Sequence, residues 1–199
     1  MANQGQLIAL EGTGGAALVQ ASKRLQRQLR QGRKPAPPVC TWDASGIFHE
    51  IREGARGIPG ASPRTLLLLY AADLAFRLRW QIRPALESGI TVIAAPYLET
   101  AIGFGRAAGL SSSWLKDLLS FAPAPSGCYR SLEITGPASK MPKAADSYLE
   151  FCFQQLRNTE GRWNTDEIRA GFLAHLAGLE NKGKCVTVAA VKSTKPVGG

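Results

Sequence analysis

The chain is poor in the residues that metal sites, disulfide scaffolds and membrane spans require. It has two histidines, His49 and His175, far apart, and four cysteines with no C-x-x-C pair among them. A zinc site therefore finds no ligand set. Cys40, Cys128, Cys152 and Cys185 read as free thiols in a reducing cytoplasm. No apolar run approaches the length that crosses a bilayer, since the longest, residues 66–72, ends at Asp73. A membrane partner is not expected. The first residues, MANQGQ, lack the basic-then-apolar pattern of a secretory signal. Acid is scarce too, with 15 Asp and Glu against 24 Lys and Arg and a net charge of +9.

The scarcity of acid is sharpest over residues 23–34, which carry Lys23, Arg24, Arg27, Arg30, Arg33 and Lys34 and no carboxylate. At helical spacing, Lys23, Arg27, Arg30 and Lys34 form one stripe, and Leu18, Ala21, Leu25 and Leu29 form an apolar stripe opposite. The basic stripe reads either as a solvated face or as a docking surface for an acidic protein or nucleic acid. No aromatic residue interleaves with it, which disfavours single-strand stacking.

A hydrophobic share of 45% against 20% charged residues fits a folded chain rather than a disordered one. Five apolar segments read as strands: 6–10, 39–42, 91–95, 128–134 and 185–191. Helical patterns fall at 16–32, 47–54, 63–88, 112–120, 144–157 and 165–179. Ser62-Pro63, Ser111 or Ser112, and Asn164 supply helix-start signals. Strands alternating with helices predict a parallel sheet covered on both faces. We expect a single domain over 1–192 and a frayed tail over 193–199.

The first strand leads into a glycine-rich turn, Glu11-Gly12-Thr13-Gly14-Gly15, and then into a helix. This is the setting in which backbone N–H groups cradle a nucleotide phosphate. The pattern G-x-x-x-x-G-K-[ST] asks for glycine, lysine and a hydroxyl, and the chain has Ala17, Leu18 and Val19 there. The frame is present and its charge is absent.

Residues 63–87, PRTLLLLYAADLAFRLRWQIRPALE, continue into SGITVIAAPYLET. They closely resemble the thymidylate kinases, where a leucine-rich helix carries F-A-A-D-R-A and runs through I-R-P-A-L-E-x-G to a strand ending D-R-Y. The resemblance extends from Glu11-Gly12 through Thr41-Trp42-Asp43 and Ile51-Arg52 to Phe121-Ala122-Pro123, and fades beyond Ile134. It implies a three-layer α/β/α fold with a five-stranded parallel sheet, an acceptor site beside an ATP site, and often a homodimer. Tyr70 matches the aromatic that stacks on thymine and Asp73 the acid beside it. The arginine that follows this acid is Leu74, and the Asp-Arg pair closing the third strand is Ala95-Pro96, with Tyr97 retained. The arginine-bearing lid is represented by residues 135–143, TGPASKMPK, which hold no arginine.

Phosphoryl transfer rests on positioning and charge neutralisation, so these absences together imply a protein that has lost it. Such a pseudokinase serves as a binding or interaction scaffold, and no cofactor is expected. The alternative is an active dTMP kinase using ATP and magnesium, with Asp43, Asp73, Tyr97 and Glu99 serving acceptor and metal. A third reading is a basic-surface module, to which the long helix adds Arg77, Arg79, Arg83 and Trp80. Each residue also has a plainer role: Asp43 as a turn cap, Glu99 as a solvated loop acid, Tyr70 as core. Leu69, Phe76 and Trp80 read either as a self-association face or as core packing.

Overall fold

In the computed structural model, the described residues are 5–12, 15–30, 35–54, 60–131, 148–159 and 161–188. Strand β1 (Leu7–Gly12) is buried along its whole length, as its unbroken apolar run requires. Its side chains alternate between two cores. Leu7 and Ala9 join Val92 and Ala94 in one, while Ile8 and Leu10 join Ile93 and Ala95 in the other. The partner residues come from β3 (Val92–Ala95), aligned in parallel with Leu7 opposite Val92.

With β2 (Val39–Thr41), β4 (Gly127–Ser131) and β5 (Val186–Thr187), these strands form a sheet of order β2-β3-β1-β4-β5. Every pairing is parallel, so the expected five-stranded sheet is present. β2 and β3 are each one residue shorter than their apolar segments, whereas β1 runs two residues further, to Gly12. Residues 132–134 and 189–191 of the fourth and fifth segments lie outside the described residues.

Helix α1 (Gly15–Leu29) covers one face. Its apolar stripe, Leu18, Ala21 and Leu25, packs on Ile8, Leu10, Ile93 and Ala95. The opposite face carries the larger core, built by α2 (Ile47–Gly54), α3 (Pro63–Arg77), α5 (Leu98–Ala107), α6 (Ser112–Leu119), α7 (Tyr148–Arg157) and α8 (Thr165–Asn181). Three helices start on side-chain caps. Ser62 Oγ accepts from Thr65 N–H, Ser111 Oγ from Trp114 N–H, and Asn164 Oδ1 from Asp166 and Glu167 N–H. Each such cap stabilises its helix by about 0.5–2 kcal/mol. No helix is long and apolar enough to cross a membrane among the described residues.

Three expectations change. The long helix runs from Pro63 as predicted, but between α3 and α4 (Arg83–Glu87) it widens into a π turn, Leu78–Ile82. Pro84 has no N–H and its ring would strike the carbonyl of Trp80 in an ordinary α turn. The wider turn, in which Arg83 N–H reaches Leu78 O, absorbs that clash.

Helix α5 was not anticipated, because Gly103 and Gly105 weaken its helical pattern. They are there for packing. A Cβ at Gly105 would lie 2.5 Å from Leu115 Cδ2 and 2.9 Å from Leu67 Cδ1, and one at Gly103 would lie 2.7 Å from His175 Cδ2.

The cysteines are also not all free. Cys128 on β4 and Cys185 before β5 are joined in a disulfide, with Cα atoms 4.5 Å apart. Sheet pairing brings together thiols 57 residues apart in sequence, which spacing alone does not reveal. Cys40 and Cys152 remain free and buried. Burial pushes the Cys40 thiol up to about 11 and raises Cys152 as well, so neither is a ready nucleophile.

Two glycine-to-alanine changes separate packing from helix propensity. Gly105→Ala forces the fully buried Leu115 aside and should destabilise by about 1–3 kcal/mol. Gly178→Ala on α8 meets nothing within 4 Å and should stabilise by up to about 1 kcal/mol. Urea unfolding of both variants checks the opposite signs.

Candidate functional site

The carboxyl ends of β2 and β3 and the first turns of α1 line a cleft of about 180 Å³. Open parallel sheets of this kind bind ligands at such strand ends. From α1 come Gly15, Leu18, Val19 and Ser22, and from the strand ends Thr41, Trp42, Ala95 and Pro96. Tyr148, at the start of α7, closes the far wall. Among the described residues, the lining holds no Asp, Glu, Lys, Arg or His. Its polar side-chain groups are hydroxyls and the Trp42 indole N–H, and Ser22 Oγ already donates to the Leu18 carbonyl at 2.8 Å.

Glu11, at the end of β1, does not face this cleft as a free acid. It is 1% exposed, and its carboxylate accepts four hydrogen bonds. Thr100 Oγ1 donates at 2.6 Å, Thr100 N–H at 2.9 Å, Glu99 N–H at 3.1 Å and Tyr97 N–H at 3.2 Å. These donors surround the N-terminus of α5, which has no side-chain cap of its own. Glu11 therefore caps, from 88 residues away, a helix end that would otherwise bury unsatisfied N–H groups. Burial pushes its carboxyl above the ordinary range, and the four donors pull it back. Gly12 N–H donates to Thr100 Oγ1 and completes the knot.

The acceptor-side residues are likewise committed within the protein. Tyr70 is fully buried, and its hydroxyl donates to the Tyr97 carbonyl at 2.5 Å. Tyr97 is fully buried too, with its own hydroxyl on the Pro123 carbonyl at 2.8 Å. Asp73 accepts from Asp43 N–H, Ser45 N–H and Ser45 Oγ. It also pairs with Arg77 at 3.0 Å, both side chains being fully buried. Arg77 extends across the Tyr70 ring, 5.3 Å from its centroid, and donates to the Pro96 carbonyl at 2.8 Å. The expectation that Arg77 joins an exposed basic surface is thus corrected: on α3 it faces the sheet, not solvent.

Asp43 caps α2, accepting from Phe48 N–H at 2.9 Å and His49 N–H at 3.0 Å. Glu99 lies in the first turn of α5 rather than in a loop. It meets His175 at 3.0 Å and Lys184 at 3.8 Å. The His175 hydrogen bond, chiefly, holds its carboxyl below the ordinary range against the opposing effect of burial.

On α1, Lys23, Arg27 and Arg30 are exposed along one side, as the stripe predicted. Lys34 lies outside the described residues, as do Thr13, Gly14 and the segment 135–143. On the long helix, Leu68, Phe76 and Trp80 are exposed large apolar residues, while Leu69 is half-buried.

No family model matches the chain. Among curated proteins it is 28% identical over 118 residues to a probable thymidylate kinase of Pyrobaculum aerophilum, a match covering 59% of each chain. It is 32% identical over 116 residues to the thymidylate kinase of Clavibacter sepedonicus, covering 57% of this chain and 55% of that one. A probable thymidylate kinase of Thermococcus gammatolerans is 40% identical over 87 residues, covering 44% of this chain and 38% of that one.

The chain is a relative of the thymidylate kinases. Its matches span only about three fifths or less of the lengths of these relatives. The crystal structure of thymidylate kinase from Ehrlichia chaffeensis shares the fold, with a TM-score of 0.60 at 18% identity over 98% of this chain and 91% of that one.

In this thymidylate kinase relative, the cleft does not suit the magnesium that the resemblance implies. Magnesium binds through carboxylates, phosphates and water. The position for its hydroxyl ligand holds Val19, and the acid position at the end of β3 holds Ala95. Among the described residues, no cluster of three His, Cys, Asp or Glu side chains could hold a metal. Two features of the site escaped the sequence reading. Tyr148 has no motif around it, and the capping role of Glu11 depends on a contact across the sheet.

Glu11→Gln tests that cap. An amide presents its own N–H₂ to donors that need an acceptor, which leaves buried N–H groups unpaired. Stability should fall by about 1–3 kcal/mol. Amide exchange at Glu99 and Thr100 should accelerate before the rest of the sheet opens.

Proposed function

We propose that the chain is a thymidylate-kinase-like protein without phosphoryl transfer, kept as a binding or interaction scaffold. One observation carries this reading: the cleft at the strand ends is lined by Leu18, Val19, Ala95 and Pro96. These are the positions that the resemblance assigns to the lysine, the magnesium hydroxyl, the acid and the arginine.

A triphosphate entering there would shed water without meeting a cation. Transfer of a phosphoryl group depends on positioned positive charge and metal. Losing one such stabilising group typically costs about 10²–10³ in rate, and here several are missing together. Arg77, whose Nη1 reaches the Pro96 carbonyl at the cleft, is engaged with Asp73 and Tyr70 as well. Tyr70 and Asp73 are closed to solvent, which further supports the reading over that of an active dTMP kinase.

ADP release from ATP–magnesium and dTMP, followed by a coupled assay, should stay at the enzyme-free rate. Turnover above that background restores the active-kinase reading.

A second reading draws on the exposure of Lys23, Arg27 and Arg30 along one side of α1, with Leu18, Ala21 and Leu25 buried on the other. A surface of one sign attracts acidic partners through counterion release. The wild type should bind heparin at low salt and elute early in a salt gradient, and charge reversal of the three residues should abolish retention. A wild type that flows through at low salt removes this reading.

A further inference from the structure

We propose that the strand-end cleft binds an uncharged, flat heteroaromatic molecule of one or two rings that carries an N–H group on its edge. The inference rests on the reading that phosphate is no longer the ligand of this cleft, and it adds what replaces it.

Charge is settled by the lining. An ionised ligand would be desolvated with no counter-charge among the described cleft residues.

Size follows from the volume. At about 180 Å³, the cleft is comparable to an apolar cavity of about 150 Å³ that takes benzene.

Shape follows from the walls. Tyr148 is 1% exposed and packs edge-on against Trp42, 6.2 Å away at 66°. The half-buried Trp42 therefore supplies the aromatic surface of the wall, and Leu18 and Pro96 add apolar surface. An indole ring beside apolar side chains favours a flat guest that stacks on it or meets its edge.

The polar edge follows from hydrogen-bond accounting. Ser22 is 4% exposed and its hydroxyl proton is committed to the Leu18 carbonyl, so it offers lone pairs only. The Tyr148 hydroxyl is occupied by the Leu66 carbonyl at 3.2 Å. A guest that reaches Ser22 must therefore donate, and Thr41, whose hydroxyl serves either role, stands at the exposed rim.

Indole has the required shape and edge and serves as the probe, with inorganic phosphate and ATP–magnesium as comparisons. Thermal unfolding of the full chain is followed by circular dichroism, with saturation-transfer NMR on indole. At about ten times its Kd, indole should raise the midpoint by about 3–5 °C, whereas phosphate and ATP–magnesium should leave it unmoved. Val19→Trp and Thr41→Trp place a ring in the cleft mouth from exposed positions. Each should keep the wild-type unfolding midpoint without ligand and lose the indole shift and the saturation-transfer signal.

An indole shift that persists in both variants places the ring elsewhere and overturns the proposal. If neither indole nor ATP–magnesium moves the midpoint, the proposal falls and the loss of phosphoryl transfer stands. If ATP–magnesium raises it and indole does not, the cleft still takes phosphate and the proposal falls, while the ADP-release assay decides separately whether phosphoryl transfer is lost.

Discussion

The carboxylate of Glu11 ties the first strand to the helix that follows the third. Its four accepted hydrogen bonds satisfy the N-terminus of α5 at the point where β3 ends. A helix N-terminus carries unpaired donors and partial positive charge, and burying it without an acceptor costs more than a surface helix can recover. With the cap in place, α5 can pack closely on α8 and α6 through Gly103 and Gly105. Those contacts, with Phe104, Phe172 and Leu176, form the centre of the larger core. The strand ends that outline the cleft are held in register by the same knot.

Around this frame, the side chains at the strand ends are apolar or engaged within the protein. Leu18 packs in the smaller core with Leu10 and Ile93, so the position that would reach toward a phosphate instead stabilises the sheet. On the other side, Tyr70 donates to the Tyr97 carbonyl and Arg77 pairs with Asp73 and donates Nη1–H to the Pro96 carbonyl, while its buried Nη2 has no hydrogen-bond partner among the described residues. Burial of an ion pair removes two charges from water, and several hydrogen bonds are needed to offset that. Here Asp43 and Ser45 provide them on the Asp73 side. The Asp73 carboxylate is thus fully engaged, whereas the Arg77 guanidinium is only partly so. A cleft with an apolar wall lies beside it, where substrate charge would have been expected.

Much of the fold was legible in local patterns. The alternation of strands and helices, the caps at Ser62, Ser111 and Asn164, and the apolar stripe of α1 are repeating or short-range signals, and each appears in the structure. The π turn was not legible because Pro84 in a helix can bend it, end it or be absorbed. Only the packing of Leu78 and Ile82 in the core selects the third outcome. Helix α5 was hidden because glycine lowers helix propensity, and the gain from close approach exists only when α6 and α8 are present. Of the residues singled out for a site, Leu18 and Val19 do line the cleft, while Tyr148 was invisible without its neighbours.

The sequence by itself determined which charges are available and where they are missing. Residue identities at the glycine-rich turn and at Ala95-Pro96 do not depend on folding. It also determined the parallel α/β class, since periodicity of two and of 3.6 residues is a local property of the chain. Only the tertiary structure decided where each polar group spends its hydrogen bonds. It turned Arg77 from a surface cation into the buried partner of Asp73, Glu11 from a loop residue into a helix cap, and Cys128 and Cys185 from separate thiols into a bonded pair. The physical reason is the same in all three cases. Burial and partner choice are set by contacts between residues from four to 89 positions apart. The energy of such contacts depends on desolvation, which no local pattern encodes.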